Sequence, residues 1–198
     1  MAAVAPSVCQ LTMPDARHLE SHIRANASLT RRMVRPGMWR GKTITICGAG
    51  PSLAGVARAL PYTDHVWACN SALPYLVKRG ARVTHGFAID QGAEMLRPAE
   101  WGHTFDVQYL VASSVAPQLV AHLLAAHRRV RFFHSYLGMT DPEDFVPTAE
   151  AESYEWHLYR TLWPGSVQVG YGLNSVPRAV CLALVGGADH VDLEPVAH

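Results

Sequence analysis

The sequence predicts an α/β domain with a doubly wound, mostly parallel sheet and an N-terminal helical extension. Three observations support this. Short apolar runs rich in β-branched residues alternate with stretches of helical periodicity along most of the chain. Nearly every apolar run ends in a small polar or acidic residue. Finally, 49% of the 198 residues are hydrophobic and 17% are charged, a composition that can bury the core of a Rossmann-like fold.

The first 40 residues are predicted to form the helical extension. A helix is expected over residues 16–33, and Pro36-Gly37 ends it. The Rossmann-like domain then covers residues 41–198. It opens with a short, β-branched strand at residues 43–47, which stops at Gly48.

The remaining elements follow the same alternation. Residues 136–163 are acidic and irregular, so no element is predicted there. No helix follows the last predicted strand, which leaves open whether the domain is truncated at its C-terminus. Further strands are expected at 65–69, 83–89, 107–112, 130–133 and 191–193, and helices at 52–60, 71–79, 117–127 and 171–185.

Charge and composition exclude several classes of protein. The net charge is +1 and the basic residues form no stripe, so we expect no nucleic-acid partner. No apolar run approaches the length of a membrane span and the N-terminus lacks a signal-peptide pattern, so we expect a cytoplasmic protein without a membrane partner. The four cysteines form no CxxC pair, which argues against structural zinc. Whether the protein is a homo-oligomer stays open.

The sharpest motif is the turn Gly48-Ala49-Gly50-Pro51-Ser52, directly after the first strand. Glycines let the backbone bend tightly and approach a ligand. Proline suits the first position of a helix, and the serine adds a hydroxyl donor. The following helix would present its amides and the positive end of its dipole to an anion. We predict that the turn binds the phosphates of a nucleotide; the alternative is a tight turn without a ligand.

Two common nucleotide-binding motifs are excluded at this turn. The dinucleotide fingerprint needs a third glycine where Leu53 stands, and an acidic residue about 20 positions further on, where Asn70 stands. A Walker A loop needs a Gly-Lys-Ser/Thr sequence, which does not follow. The turn therefore indicates a nucleotide phosphate; it argues against NAD and is not a P-loop.

Polar residues also follow the other strands, and ligands of open parallel sheets bind at the carboxyl ends of strands. Asp90 is the candidate catalytic and Mg²⁺-binding residue, because a carboxylate beside phosphates can hold the ion; a capping role is the alternative. Asn70 is expected to bind a ribose or base, or to close a turn. Ser113 and Ser114 are candidate ligand contacts, although helix capping is favoured. For His134, a solvated or core role is favoured over acid–base chemistry.

Two further segments are candidates for phosphate binding. A glycine-rich helix start offers Gly172, Asn174 and Ser175 as a second anion site, with ordinary capping as the alternative. A basic stretch before the first strand is either a solvated linker, which is favoured, or a supplementary phosphate clamp. It consists of Arg31, Arg32, Arg35, Arg40 and Lys42.

The order of these motifs resembles the 6-hydroxymethylpterin diphosphokinase MptE-like family, which is similar to the motility-associated flagellin glycosyltransferases. The resemblance implies a Rossmann-like fold and Mg²⁺-dependent transfer of pyrophosphate from ATP to a pterin-like alcohol. It covers residues 41–194 and rests on the segments GAGPSL (48–53), NSAL (70–73), AID (88–90), GLNSVP (172–177) and ALVGGA (183–188).

A second resemblance is to bacterial sialyltransferases that use CMP-sialic acid. They share a GxGPS turn and a Cys-Asn pair after the second strand, here Cys69-Asn70. This resemblance implies glycosyl transfer from a CMP-sugar, with the turn and the asparagine contacting the nucleotide.

One departure from the MptE-like pattern is that the last strand runs into Glu194-Pro195 rather than into a glycine and an aspartate.

Three functions are therefore open. The favoured hypothesis is a transferase that moves pyrophosphate from ATP with Mg²⁺ held by Asp90. The first alternative is a glycosyltransferase with a CMP-sugar donor, and the second is a non-catalytic nucleotide-binding module. All three share a small-molecule nucleotide as the ligand of the turn.

Overall fold

The structure is a computed structural model that describes residues 16–56, 60, 63–91, 105–136, 138, 141, 144–147, 153–170 and 174–194. No helix in this part of the chain is long and apolar enough to cross a membrane. The described elements are, in order, α1 (Ala16–Leu29), β1 (Thr43–Cys47), α2 (Leu53–Val56), β2 (His65–Cys69), α3 (Ala72–Lys78), β3 (His85–Ala88), β4 (Gln108–Ala112), α4 (Pro117–Ala125), β5 (Arg129–Ser135), α5 (Tyr154–Leu162), β6 (Gln168–Val169), α6 (Ser175–Val185) and β7 (His190–Glu194).

The described strands form one parallel sheet in the order β6-β5-β4-β3-β2-β1-β7. Strands β1 to β6 lie side by side in chain order. After β6, the chain crosses back over the sheet through α6, and β7 pairs with the free edge of β1. Because crossovers between parallel strands are right-handed, the helices of the forward steps and α6 lie on opposite faces. α6 contacts both edge strands, β6 and β7, so the sheet curls around it. The predicted α/β fold is confirmed.

The strands were readable from the sequence because most of them are buried on both faces. β1 and β2 have the predicted bounds, and in each the last four residues are buried, including Cys47 and Cys69. β3, β4, β5 and β7 differ from their predicted bounds by one or two residues at an end. Of the predicted helices, residues 57–59 and 171–173 lie outside the described part of the chain.

α5 lies in the segment 136–163, for which no element was predicted, and β6 follows it without having been predicted either. β6 has two residues, too few to show an alternating pattern. α5 begins at a capped turn, where Ser153 Oγ accepts a hydrogen bond from Trp156 N at 3.3 Å. Its buried face includes Glu155 beside Leu158 and Tyr159, and a buried carboxylate interrupts the apolar stripe by which a helix is recognised.

α1 packs on α4 and belongs to the same core as the sheet. Leu19 and Ile23 are buried, and so is Asn26 on the same helix. After the helix, Met33 forms a parallel bridge with Phe132 of β5. The predicted extension therefore contains a helix, but it ends at Leu29 rather than at residue 33, and residues 30–40 are not helical. The domain boundary at residue 40 stays a prediction, and packing is continuous across it.

Candidate functional site

The carboxyl ends of the strands bring most of the predicted site residues to one edge of the sheet. The pairs Cys47–Ala68 and Cys69–Phe87 align β1 with β2 and β2 with β3. Ala88 pairs with Val111, and Ala112 with Phe133, which continues the alignment to β5. The residues that follow these strands therefore form a row across the edge, in the position where parallel sheets bind ligands.

The turn Gly48–Ser52 leads from β1 into α2 at this edge. Ala49 and Pro51 are exposed, and Gly48, Gly50 and Ser52 are partly exposed. Leu53 N donates to Gly50 O at 3.1 Å and Gly55 N donates to Ser52 O at 2.9 Å, so these two amides are used within the turn. The predicted phosphate contacts are thus accessible to a ligand, and their role stays a prediction.

Asn70 and Asp90, 20 residues apart in the chain, are in direct contact. Asn70 Nδ2 donates to Asp90 Oδ2 at 2.7 Å, and the Asp90 side chain is exposed. Asn70 has a φ of +48°, a left-handed conformation that asparagine tolerates better than most residues. Its backbone N–H donates to Phe87 O at 2.9 Å, which fixes it beside the end of β3. The pair places an oriented carboxylate at the same edge of the sheet as the glycine turn, two strands away from it.

A cavity of about 360 Å³ opens beside the turn, within the size range of small-molecule sites. Its lining includes Tyr75 and Ser71, which sequence reasoning missed. An aromatic residue five positions after Asn70 was the available signal, but a half-buried aromatic on a helix is usually only packing. The cavity is lined by Ala49, Gly50, Pro51, Leu53, Ala54, Ser71 and Tyr75.

Ser113 and Ser114 are fully buried, in contrast to the turn. The Asn26 side-chain amide donates to Ser113 O at 2.9 Å and to Val115 O at 2.8 Å. His22 Nδ1 donates to Ser114 O at 3.2 Å. Hydrogen bonds from two side chains of α1 therefore hold the turn after β4 in place. Ligand binding by these serines stays a prediction, and it would require this packing to open.

His134 is also buried, and its ring lies between polar and aromatic neighbours. Its Nδ1 hydrogen-bonds Ser113 Oγ at 2.9 Å, and its ring stacks on Tyr159 with centroids 4.0 Å apart. Burial lowers the pKa of His134 to about 3, so the ring is neutral at physiological pH. This is the structural role that the sequence favoured for it.

A cluster of buried polar residues extends from His134 towards α6. Tyr159 OH lies 3.1 Å from Glu155 Oε1 and 3.3 Å from Ser135 O. Arg178 Nη1 donates to Ser135 Oγ. Burial, and then the charge of Glu155, raises the pKa of Tyr159 well above its ordinary value. These contacts join α5 and α6 to the ends of β4 and β5.

The second predicted anion site is described only in part. Asn174 Oδ1 accepts a hydrogen bond from Val176 N at 3.2 Å, the capping role given as the alternative. Ser175 hydrogen-bonds the Cys69 thiol, whose pKa is raised by burial, and so the start of α6 lies near the end of β2. Gly172, with Tyr171, lies outside the described residues.

The basic stretch does not reach the turn. Lys42 precedes β1 and pairs with Asp64 at 3.1 Å, at the amino end of the sheet. Gly48 lies six residues further along an extended strand, about 20 Å away at ~3.3 Å per residue. Arg32 and Arg35 lie near Arg131 of β5, and they lower its pKa after the larger effect of burial. The geometry therefore favours the solvated role over the supplementary phosphate clamp.

Asp90 is the residue suited to Mg²⁺. The described residues contain no group of three or more His, Cys, Asp or Glu side chains that could hold a metal ion. Mg²⁺ commonly binds through one or two carboxylates together with phosphates of the ligand. The exposed Asp90 carboxylate, oriented by Asn70 at the same edge of the sheet as the turn, fits that arrangement, in which the nucleotide supplies further oxygen ligands.

Comparison with known proteins gives a structural match. The MAf glycosyltransferase of Magnetospirillum magneticum AMB-1 aligns with 90% of this chain at a TM-score of 0.62 and 15% sequence identity. The alignment covers 27% of that longer protein, so the chain corresponds to about a quarter of its length. At this identity the match shows a common fold. No family model matches the chain, and neither does any curated protein.

Proposed function

We propose that this chain is the nucleotide-binding domain of a transferase, and that the reaction is glycosyl transfer from a nucleotide-activated sugar. The fold it shares with part of a glycosyltransferase supports this class of reaction. Since the MptE-like resemblance points instead to pyrophosphoryl transfer, the two hypotheses share a ligand site and differ in the bond that breaks. The structural match favours glycosyl transfer, with a CMP-sugar as the donor implied by the sialyltransferase resemblance.

The observation that carries the proposal is the grouping of three features at the carboxyl ends of β1, β2 and β3. The glycine turn, the Asn70–Asp90 pair and the cavity lie together on the exposed part of the carboxyl edge. β1 is also the strand at which the order of the sheet reverses, because β2 and β7 flank it. In doubly wound sheets, this switch point is where nucleotides bind.

The chemistry would depend on charge stabilisation and positioning. In glycosyl transfer, the bond between the anomeric carbon and the donor phosphate breaks, and the phosphate leaves with the electron pair. The acceptor hydroxyl oxygen forms the new bond to the anomeric carbon, and its proton passes to solvent. Donors of the turn and Ser52 would stabilise the leaving phosphate. Asp90, oriented by Asn70, would hold Mg²⁺ against the phosphate oxygens, and the ion when bound would offset their charge.

A ligand panel with thermal unfolding as the readout tests the proposal. The panel contains CMP, CMP-sialic acid, ATP, GTP and a pterin, each with and without Mg²⁺. A bound nucleotide at a hundredfold excess over its dissociation constant should stabilise the protein by about 2.7 kcal/mol. Stabilisation by CMP or CMP-sialic acid supports glycosyl transfer, and stabilisation by ATP and the pterin alone would favour pyrophosphoryl transfer. If none of the nucleotides stabilises the protein, the proposal is wrong.

The variant Asp90→Asn separates binding from metal-dependent transfer. Because the side chain is exposed, the variant should fold normally and retain nucleotide binding in the absence of Mg²⁺. We expect the additional stabilisation by Mg²⁺ to be lost, together with any Mg²⁺-dependent turnover. Unchanged turnover would remove Asp90 from the mechanism. A protein that binds nucleotide but transfers no group from any donor would instead be a non-catalytic binding module.

A further inference from the structure

We propose that the cavity beside the glycine turn holds the nucleobase of the bound nucleotide, stacked on Tyr75. This inference rests on the proposed function, because it assumes that a nucleotide binds at the turn. It adds a base-binding residue on α3, a helix on which the sequence motifs place no ligand contact. The turn would then hold the phosphates and the cavity the uncharged end of the same ligand.

The first argument is the chemistry of the lining. All seven lining residues are uncharged, and outside the glycine turn they are Leu53, Ala54, Ser71 and Tyr75. Phosphate groups require donors or positive charge, so this surface does not suit them. A flat, uncharged heterocycle buries its faces against such a surface at little desolvation cost. Since Ala49, Gly50 and Pro51 line the cavity too, a ligand in it continues directly to the turn.

The second argument is the state of the Tyr75 ring. The Arg79 guanidinium carbon lies 3.5 Å from the ring centroid, a cation–π contact that restrains the ring. Tyr75 lines the cavity and Arg79 does not, so the guanidinium does not cover the part of the ring that meets the cavity. The base would stack on that part of the ring, and base–aromatic stacking is a strong, sequence-tolerant contact.

The third argument is the hydroxyl of Ser71. It stands at the N-cap of α3 but makes no capping hydrogen bond from its side chain. The residue is exposed and lines the cavity. A hydroxyl can donate and accept, so it can pair with a polar atom on the edge of a base or with a ribose hydroxyl. One such group beside an aromatic ring provides the polar contact that orients a mainly apolar ligand.

The test compares ligands with and without a base. CMP, UMP, AMP and GMP form the nucleotide arm, and ribose 5-phosphate is the matched ligand that lacks the base. Affinities are measured by calorimetric titration of the wild type, Tyr75→Leu and Tyr75→Phe. The leucine variant keeps an apolar side chain against the core, and the phenylalanine variant keeps the ring. Tyr154→Leu, on α5 and outside the cavity lining, is the control for loss of an aromatic residue elsewhere.

We expect Tyr75→Leu to weaken binding of the nucleotides by about 5- to 140-fold. Binding of ribose 5-phosphate should be unchanged, and the Tyr75→Phe and Tyr154→Leu variants should bind nucleotides within twofold of the wild type. The inference is wrong if the wild type binds a nucleotide and Tyr75→Leu binds it equally well, or if Tyr75→Phe is as weak as Tyr75→Leu. If the wild type binds none of the five ligands, the proposed function itself fails.

A second measurement does not depend on the folding of a variant. In wild-type protein with isotope-labelled tyrosine rings, a nucleotide stacked on Tyr75 shifts its ring resonances through the ring current of the base. Ribose 5-phosphate should leave these resonances in place. A nucleotide that binds without shifting the Tyr75 resonances would overturn the inference.

Discussion

The two halves of the carboxyl edge carry the same kinds of residue but present them differently. We call the ends of β1, β2 and β3 the open half; it contains the glycine turn, Asn70 and Asp90. The closed half comprises the ends of β4 and β5, with Ser113, Ser114, His134 and Ser135. Asp90 and two residues of the turn are exposed, whereas all four residues of the closed half are almost completely buried.

What differs between the halves is the structure that covers them. α1 supplies Asn26 and His22 to the backbone after β4, and α5 and α6 supply Tyr159 and Arg178 to Ser135, the last residue of β5. In the open half, the Asn70–Asp90 contact joins two strand ends and leaves the carboxylate at the surface. A polar residue at a strand end can therefore either face a ligand or form hydrogen bonds inside the protein. Whether a helix packs over that strand end decides between the two.

A large effect on stability is expected from Asn26→Ala, which removes contacts that bury the closed half. The change removes two buried hydrogen bonds and leaves the Ser113 and Val115 carbonyls without them. We expect a loss of about 3 kcal/mol in the free energy of unfolding, measured with urea. Ser28→Ala, an exposed position on the same helix, should cost little. Nucleotide affinity of the folded variant should stay within twofold, and a large loss would mean that the closed half contributes to the ligand site.

Stability is also expected to depend on pH, through His134. With its pKa lowered to about 3 by burial, the ring is neutral in the folded protein, whereas in the unfolded chain it titrates near its ordinary value. Between roughly pH 6.5 and 3 the unfolded chain binds the extra proton, so stability falls as the pH falls. The slope is up to about 1.4 kcal/mol per pH unit for this residue.

The variant His134→Asn should remove this contribution to the slope. Urea unfolding at pH 7, 6, 5 and 4 measures it, and the slope should not vanish entirely. His85, whose pKa is also lowered to about 3 by burial, retains its own contribution. An unchanged slope would show that His134 takes up a proton while the protein is folded, and the closed half would then be open to solvent.

The open half is tested by a pair of changes at Asn70. Alanine is strained at a φ of +48°, and we expect Asn70→Ala to be about 1 kcal/mol less stable than Asn70→Gly, for which this conformation is unstrained. Both variants lose the hydrogen bond to Asp90, so both should lose the same part of the Mg²⁺-dependent nucleotide affinity. If Asn70→Gly binds like the wild type, Asn70 does not position Asp90.

The smallest effect is expected from Lys42→Ala. Lys42 lies at the amino end of the sheet, so nucleotide affinity should stay within twofold of the wild type in titrations at low salt. A tenfold loss would place the basic stretch at the ligand site after all. It would also show that the open half extends beyond the end of β1.

The strands, the class of fold and the glycine turn could be predicted because each depends on residues that are neighbours in the chain. The last four residues of a run such as Thr43–Cys47 are buried, so the run is rich in apolar and β-branched residues, and the residue that ends it is adjacent in sequence. The same local reasoning selected Asn70 and Asp90, which the structure joins at 2.7 Å. It failed for α5 and β6, because Glu155 interrupts the buried face and β6 has only two residues.

Whether a strand end is open or closed could not be predicted, because it depends on contacts between residues far apart in the chain. Asn26 and the Ser113 carbonyl are separated by 87 residues, and nothing near either one indicates the other. The cavity at Tyr75 likewise forms only where the turn after β1 faces α3. Ser113 and Ser52 are both serines that follow a strand, and the sequence around them does not distinguish them. Only the tertiary structure buries Ser113 beneath α1 and leaves Ser52 beside a cavity.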